Sequence, residues 1–89
     1  MIITIYSDSG HAWGKVKKAL LDRLGIAKDI SMFSYMRDNY AYLEEDCDLP
    51  KLCSALRKQG KAVSFNERVA HDRPSRIRSY QTYHTEEMK

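Results

Sequence analysis

The sequence predicts an α+β chain, a ferredoxin-like βαββαβ sandwich in which one four-stranded antiparallel sheet carries two helices on one face. Three observations predict it. Short β-branched or aromatic runs are interspersed with two stretches of helical periodicity. Their order is strand, helix, strand, strand, helix, strand. Each helical stretch ends on a glycine, Gly25 or Gly60. The two halves thus repeat one pattern, and the compact packing leaves the second sheet face open.

Each element has its own local reason. "MIITIYS" alternates and is β-branched, which predicts a strand with Ile3 and Ile5 on one face and Thr4 and Tyr6 on the other. "DSGHAWG" reads as a turn-rich loop. From Lys15 to Leu24 the apolar positions Val16, Ala19, Leu20 and Leu24 fall at helical spacing, and Gly25 stands where a left-handed cap stops a helix. "ISMFSYMR" predicts the second strand, Asp38-Asn39 a turn and "YAYLEE" the third strand. Asp48 is placed to cap a second helix that tolerates Pro50 in its first turn and buries Leu49, Leu52, Cys53 and Leu56. "KAVSFNE" predicts the fourth strand. The domain is therefore expected over residues 1–69, with a polar extension over 70–89 that is dispensable for folding.

A length of 89 residues fits one domain, and an apolar share of 43% fits a folded one. No apolar run approaches the roughly 18 residues that would span a bilayer, and the N-terminus lacks the basic-then-apolar order of a secretion signal. No membrane partner is expected. Cys47 and Cys53 do not make a disulfide framework, so both are expected to be free thiols in a reduced compartment.

Charge is unevenly distributed beneath a net +3. Glu44, Glu45, Asp46 and Asp48 fall within five residues, whereas Arg68, Arg73, Arg76 and Arg78 crowd the last quarter. Arginine suits bidentate recognition of phosphate or carboxylate and stacking on planar groups. Asp46 and Asp48 suit the positive end of the helix that follows. Glu44 and Glu45 have no such local reason, and pairing with tail arginines such as Arg76 and Arg78 is an economical role for them. No metal-ligand spacing surrounds the acids, and no metal or cofactor is expected.

On the predicted open face stand Tyr6, Tyr40 and Tyr42, with Glu44 beside them. "YAYL" is similar to the middle of the strand-three signature of RNA-recognition motifs, and Tyr6 lies on the strand that carries the companion motif. The pattern departs at Asp38-Asn39, where a basic-glycine pair is expected, and at Glu45, where the closing aromatic falls. Glu44 repels a phosphate chain, so direct nucleic-acid binding is expected to be weak. The structural alternative is that the tyrosines pair across strands or are covered by the C-terminal segment.

The loop containing Asp8, Ser9, His11 and Trp13 joins two elements, where recognition and catalytic residues concentrate. Asp8, His11 and Trp13 form a candidate recognition loop. In a hydrolase or nuclease reading, His11 is a general base oriented by Asp8, with Glu44 or Cys47 as companion. In a structural reading, His11 caps or packs and Trp13 is core. The spacing lacks any phosphate-loop or nucleophile motif.

The blocks "YSDSGHAWGKV", "SYMRDNYAYLEEDCD" and "RPSRIRSYQ" together resemble a set of small accessory proteins of tailed bacteriophages and prophages. The resemblance covers nearly the whole chain. It implies an accessory protein working in a bacterial cytoplasm and implies no particular activity. Because small phage accessory proteins frequently bind a host machine, the leading expectation is a non-enzymatic protein that binds a host protein or ribonucleoprotein complex, such as a restriction or CRISPR system. On that expectation the partner surface comprises Arg37, Tyr40 and Tyr42 on the sheet, and Arg68, Arg73, Arg76, Arg78 and Tyr80 at the C-terminal end. The alternatives are a direct single-stranded nucleic-acid binder built on the open-face tyrosines and a small hydrolase built on Asp8, His11 and Glu44.

Overall fold

The computed structural model describes residues 1–70 and 74–85. It is α+β, with strands β1 (Ile2–Ser7), β2 (Ala12–Lys17), β3 (Tyr35–Arg37), β4 (Tyr40–Glu44), β5 (Ser64–Val69) and β6 (Gln81–Thr82). Helix α1 spans Lys18–Arg23 and α2 spans Leu49–Lys58, with 3-10 turns at Ala27–Asp29 and Arg76–Ser79. One six-stranded sheet runs in the order β5-β1-β2-β4-β3-β6. Among the described residues, the β1–β5 pair alone is parallel. The expected four-stranded antiparallel sheet is therefore corrected to a larger, mixed one.

The extra strand β2 lies inside the segment expected to be loop and helix. Its residues alternate: Ala12 and Val16 join the core beneath the helices, while Trp13 packs on the opposite face. That two-residue period runs from Ala12 to Lys17 and wins over the overlapping helical spacing, so α1 starts only at Lys18. The loop shrinks to a turn in which the Asp8 amide donates to the His11 carbonyl (2.9 Å). Gly14 is closely packed: a β-carbon there would lie 2.8 Å from a methyl of Leu49, which would have to shift.

Ile3, Ile5, Ala41 and Leu43 face the helices as expected. They meet Leu20 and Leu21 of α1 and the stripe Leu49, Leu52, Cys53 and Leu56 of α2. Gly25 and Gly60, each with φ of +72°, follow the two helix ends as the sequence predicts. The connection β4–α2–β5 crosses over β2 and β1, which sets α2 against the sheet and makes β5 an edge strand.

Two further expectations change. The second strand is confined to Tyr35–Arg37, because the residues before it are held by Asp48. That carboxylate is fully buried, and it does not cap α2. It accepts from the Ser31 amide (3.0 Å), the Ser31 and Ser34 hydroxyls and Lys51 Nζ (3.0 Å). Burial pushes its pKa up, but the hydrogen bonds from Ser34, Ser31 and Lys51 outweigh burial and leave it lowered.

The C-terminal residues also belong to the fold. Gln81 and Thr82 pair with Met36 and Tyr35. Tyr83 is buried among the helix-side residues, and its hydroxyl donates to the Ala27 carbonyl (2.7 Å). Residues 74–85 therefore complete the sheet and its core instead of forming a free polar extension.

Candidate functional site

The second sheet face is aromatic because β1, β2, β3 and β4 each send alternate side chains to it: Tyr6, Trp13, Tyr35, and Tyr40 with Tyr42. The 3-10 turn Arg76–Ser79 lies across this face. Ser75 starts it, its hydroxyl accepting from the Ile77 amide (3.3 Å), and Ile77 buries against Trp13 and Tyr42. Tyr80 continues the cover, edge-on to Tyr42 at 5.0 Å between ring centroids. Tyr42 meets Tyr6 at 6.5 Å and Trp13 meets Tyr35 at 6.1 Å, both in edge geometry. The Arg37 guanidinium lies 5.0 Å from the Tyr80 ring centroid. Burial, with Tyr80 and Tyr6 nearby, pushes the Tyr42 hydroxyl pKa up. The covered reading of the tyrosines is the one the structure adopts.

Asp8 fastens that cover. Its Oδ1 accepts from the Gly10 and His11 amides (2.9 and 3.0 Å) and from Arg78 Nη2 (2.8 Å). Its Oδ2 accepts from the Ser75 amide (2.8 Å) and Arg78 Nε (2.6 Å). The side chain is 1% exposed. Arg78, then the Ser75 amide, hold its pKa well below the usual carboxylate range. The arginine's remaining surface lies over Trp13, 5.3 Å from the ring centroid.

This geometry answers the hydrolase reading. Asp8 spends its oxygens on Arg78 and on backbone amides, so it does not orient the His11 ring. His11 Nδ1 stands 3.8 Å from Glu44 Oε1, beyond hydrogen-bond distance. Glu44 Oε2 instead accepts from the Asp46 and Cys47 amides (2.9 and 2.8 Å), closing the turn before α2. Desolvation first, then Glu44, push the Cys47 thiol up, which disfavours its nucleophilic thiolate form. His11, Trp13, Glu44, Cys47 and Arg78 do share a cavity of about 330 Å³. The indole nitrogen of Trp13, itself buried, has no hydrogen-bond partner among the described residues. The expected pairing of Arg76 and Arg78 with Glu44 and Glu45 does not form: Arg78 goes to Asp8, and Arg76 lines another cavity.

That other cavity, about 540 Å³, opens between the sheet and the C-terminal cover. Lys15, Arg68 and Arg76 line it together with Tyr6, Tyr42 and Tyr80, and no carboxylate does among the described residues. Within those residues none of the three cations is in an ion pair. Lys15 Nζ rests 4.2 Å from the Tyr40 ring centroid. Such a lining attracts an anion and offers planar surfaces beside it.

Of the residues singled out in the sequence, Tyr6, Tyr42, Arg68, Arg76 and Tyr80 are brought to this cleft. Tyr40 and Arg37 lie beside its walls, through Lys15 and Tyr80 respectively. Arg78, Asp8, His11 and Trp13 gather at the far side of the cover. Arg73 lies outside the described residues. Lys15 was missed, because helical spacing claimed it. Its signal was the alternation of Trp13, Lys15 and Lys17. The chain matches no family model, no curated protein and no solved structure.

Proposed function

We propose that the chain is a non-enzymatic binding protein that engages a nucleic-acid-handling host complex through an anionic component of that complex. The contact surface is the cleft between the sheet and its C-terminal cover. One observation carries the reading: three cations without carboxylate partners among the described residues, Lys15, Arg68 and Arg76, line one cleft with three tyrosines. The resemblance to small phage accessory proteins adds the context of a bacterial cytoplasm and a restriction or CRISPR system as the type of target. Among the described residues no helix is long and apolar enough to cross a membrane.

The catalytic alternative has less support, since Asp8, His11 and Glu44 are not mutually bonded. The test is affinity capture from bacterial lysate with the parent protein and with Arg68→Glu/Arg76→Glu. The parent is expected to retain a nucleic-acid-handling complex and the charge-reversed protein to lose it. Equal capture by both proteins contradicts the reading.

A further inference from the structure

The cleft continues beyond its own walls. Tyr6 and Lys15 also line a second cavity, of about 490 Å³, that extends along the sheet to Lys17, Arg23 and Tyr40. The two spaces adjoin at these shared side chains, and together they are taken as one groove. Its cations are Lys15, Lys17, Arg23, Arg68 and Arg76. Its tyrosines are Tyr6, Tyr40, Tyr42 and Tyr80. Neither cavity has an Asp or Glu among its described lining residues, and none of the five cations is in an ion pair with a described residue.

Three acids near the sheet are committed elsewhere. Asp8 holds Arg78, Asp48 is buried among Ser31, Ser34 and Lys51, and Glu44 is turned onto the amides of Asp46 and Cys47. Glu44, the residue expected to repel a phosphate chain, lines a different cavity.

We propose that this groove binds single-stranded nucleic acid, its phosphates on the five cations and bases against the accessible parts of Tyr6 and Tyr40. The inference rests on the reading that this face is the contact surface, and it identifies the anionic component as the nucleic acid itself. A phosphodiester chain matches the groove in two ways. It carries negative charge along its length, which the five cations distributed over the two cavities can meet, and every base supplies a planar face for an aromatic ring. An acidic peptide satisfies the cations but makes no use of the tyrosines. A duplex keeps its bases stacked away from rings set within a groove.

The test is fluorescence anisotropy with labelled 12-nucleotide oligo-dT and oligo-U, using the intact protein at 50 and 200 mM salt. Four or five phosphate contacts on a single strand predict a loss of about 50- to 130-fold in affinity over that salt range. Charge reversal at either end, Lys17→Glu/Arg23→Glu or Arg68→Glu/Arg76→Glu, is expected to weaken binding at least about tenfold and to flatten the salt dependence. Tyr6→Leu keeps an apolar contact and is expected to cost about tenfold through lost stacking. Arg57→Glu, on the helix side of the sheet, is expected to change nothing. Absence of binding at 50 mM salt, sensitivity at only one end of the groove, or equal affinity for a 12-base-pair duplex each overturns the inference. If neither oligonucleotide binds while Arg68- and Arg76-dependent capture from lysate persists, the inference falls and the broader reading stands. If both fail, both fall.

Discussion

Asp8 joins two segments 70 residues apart, the β1–β2 turn and the C-terminal cover, through the paired bonds to Arg78. Its folded pKa is depressed, so it binds fewer protons folded than unfolded. It therefore stabilises the fold at pH above its ordinary value of 3.8, and that contribution is lost as pH falls below it. Asp48 shifts in the same direction and adds to the same acid loss. Comparing Asp8→Asn with the parent by denaturant melts, the stability gap is expected to be largest near neutral pH and to shrink toward pH 3. A gap that stays constant over that range contradicts the role given to Asp8. The oddity of this residue was legible in the sequence, but its role was not, because its main partner is too remote for any local pattern to signal. Asp48 differs for the same reason: Ser31 and Ser34, which recruit it inward, stand 17 and 14 positions before it. Cys47 is exposed and Cys53 buried, both as free thiols. A thiol reagent is expected to count one group in the native protein and two after denaturation, and a mass showing an internal disulfide contradicts this.

Among the elements, β1, β4 and α2 were readable because a single strong period runs through each: two residues in the strands, and the Leu49, Leu52, Cys53 and Leu56 stripe in the helix. β2 was obscured because Val16 serves both a two-residue period and a helical one, and only tertiary pairing with β1 and β4 settles which applies. β6 left no signal. Two exposed polar residues, Gln81 and Thr82, are a strand only because β3 presents an unpaired edge to them. The C-terminal cover follows from these contacts, and its removal is a direct probe. Burying a residue such as Ile77 or Tyr83 contributes about 1.5–3 kcal/mol, and a small domain holds only about 5–15 kcal/mol in all. Truncation after Val69 forfeits both side chains, the Asp8–Arg78 bonds and β6, and uncovers Trp13 and Tyr42. The shortened chain is expected to be largely unfolded at 25 °C by circular dichroism. A melting temperature within a few degrees of the parent contradicts the structural role of residues 74–85.

At the scale of the molecule, a modest net charge of +3 is resolved by folding into separate regions. Glu44, Glu45, Asp46 and Asp48 fall around the turn before α2 and Asp8 is committed to Arg78, while cations with no ion-pair partner among the described residues line the groove over β1 and β2. Composition shows the unequal distribution along the chain, and arginine clustering pointed to Arg68 and Arg76. It did not show that Lys15, Lys17 and Arg23 join them, since that requires β2 to lie beside β1 with α1 following directly. Nor did it show that the tyrosine face would be covered and still leave a cleft along its margin. On the proposed function, ligand contact belongs to this margin and not to the cavity around His11 and Cys47. The most direct measurement is amide chemical-shift mapping of the isotope-labelled protein during titration with a short single-stranded oligonucleotide. The largest perturbations are expected to cluster at Tyr6, Lys15, Lys17, Arg68 and Arg76. Perturbations centred on His11, Trp13 and Cys47, with the groove residues unmoved, would contradict it.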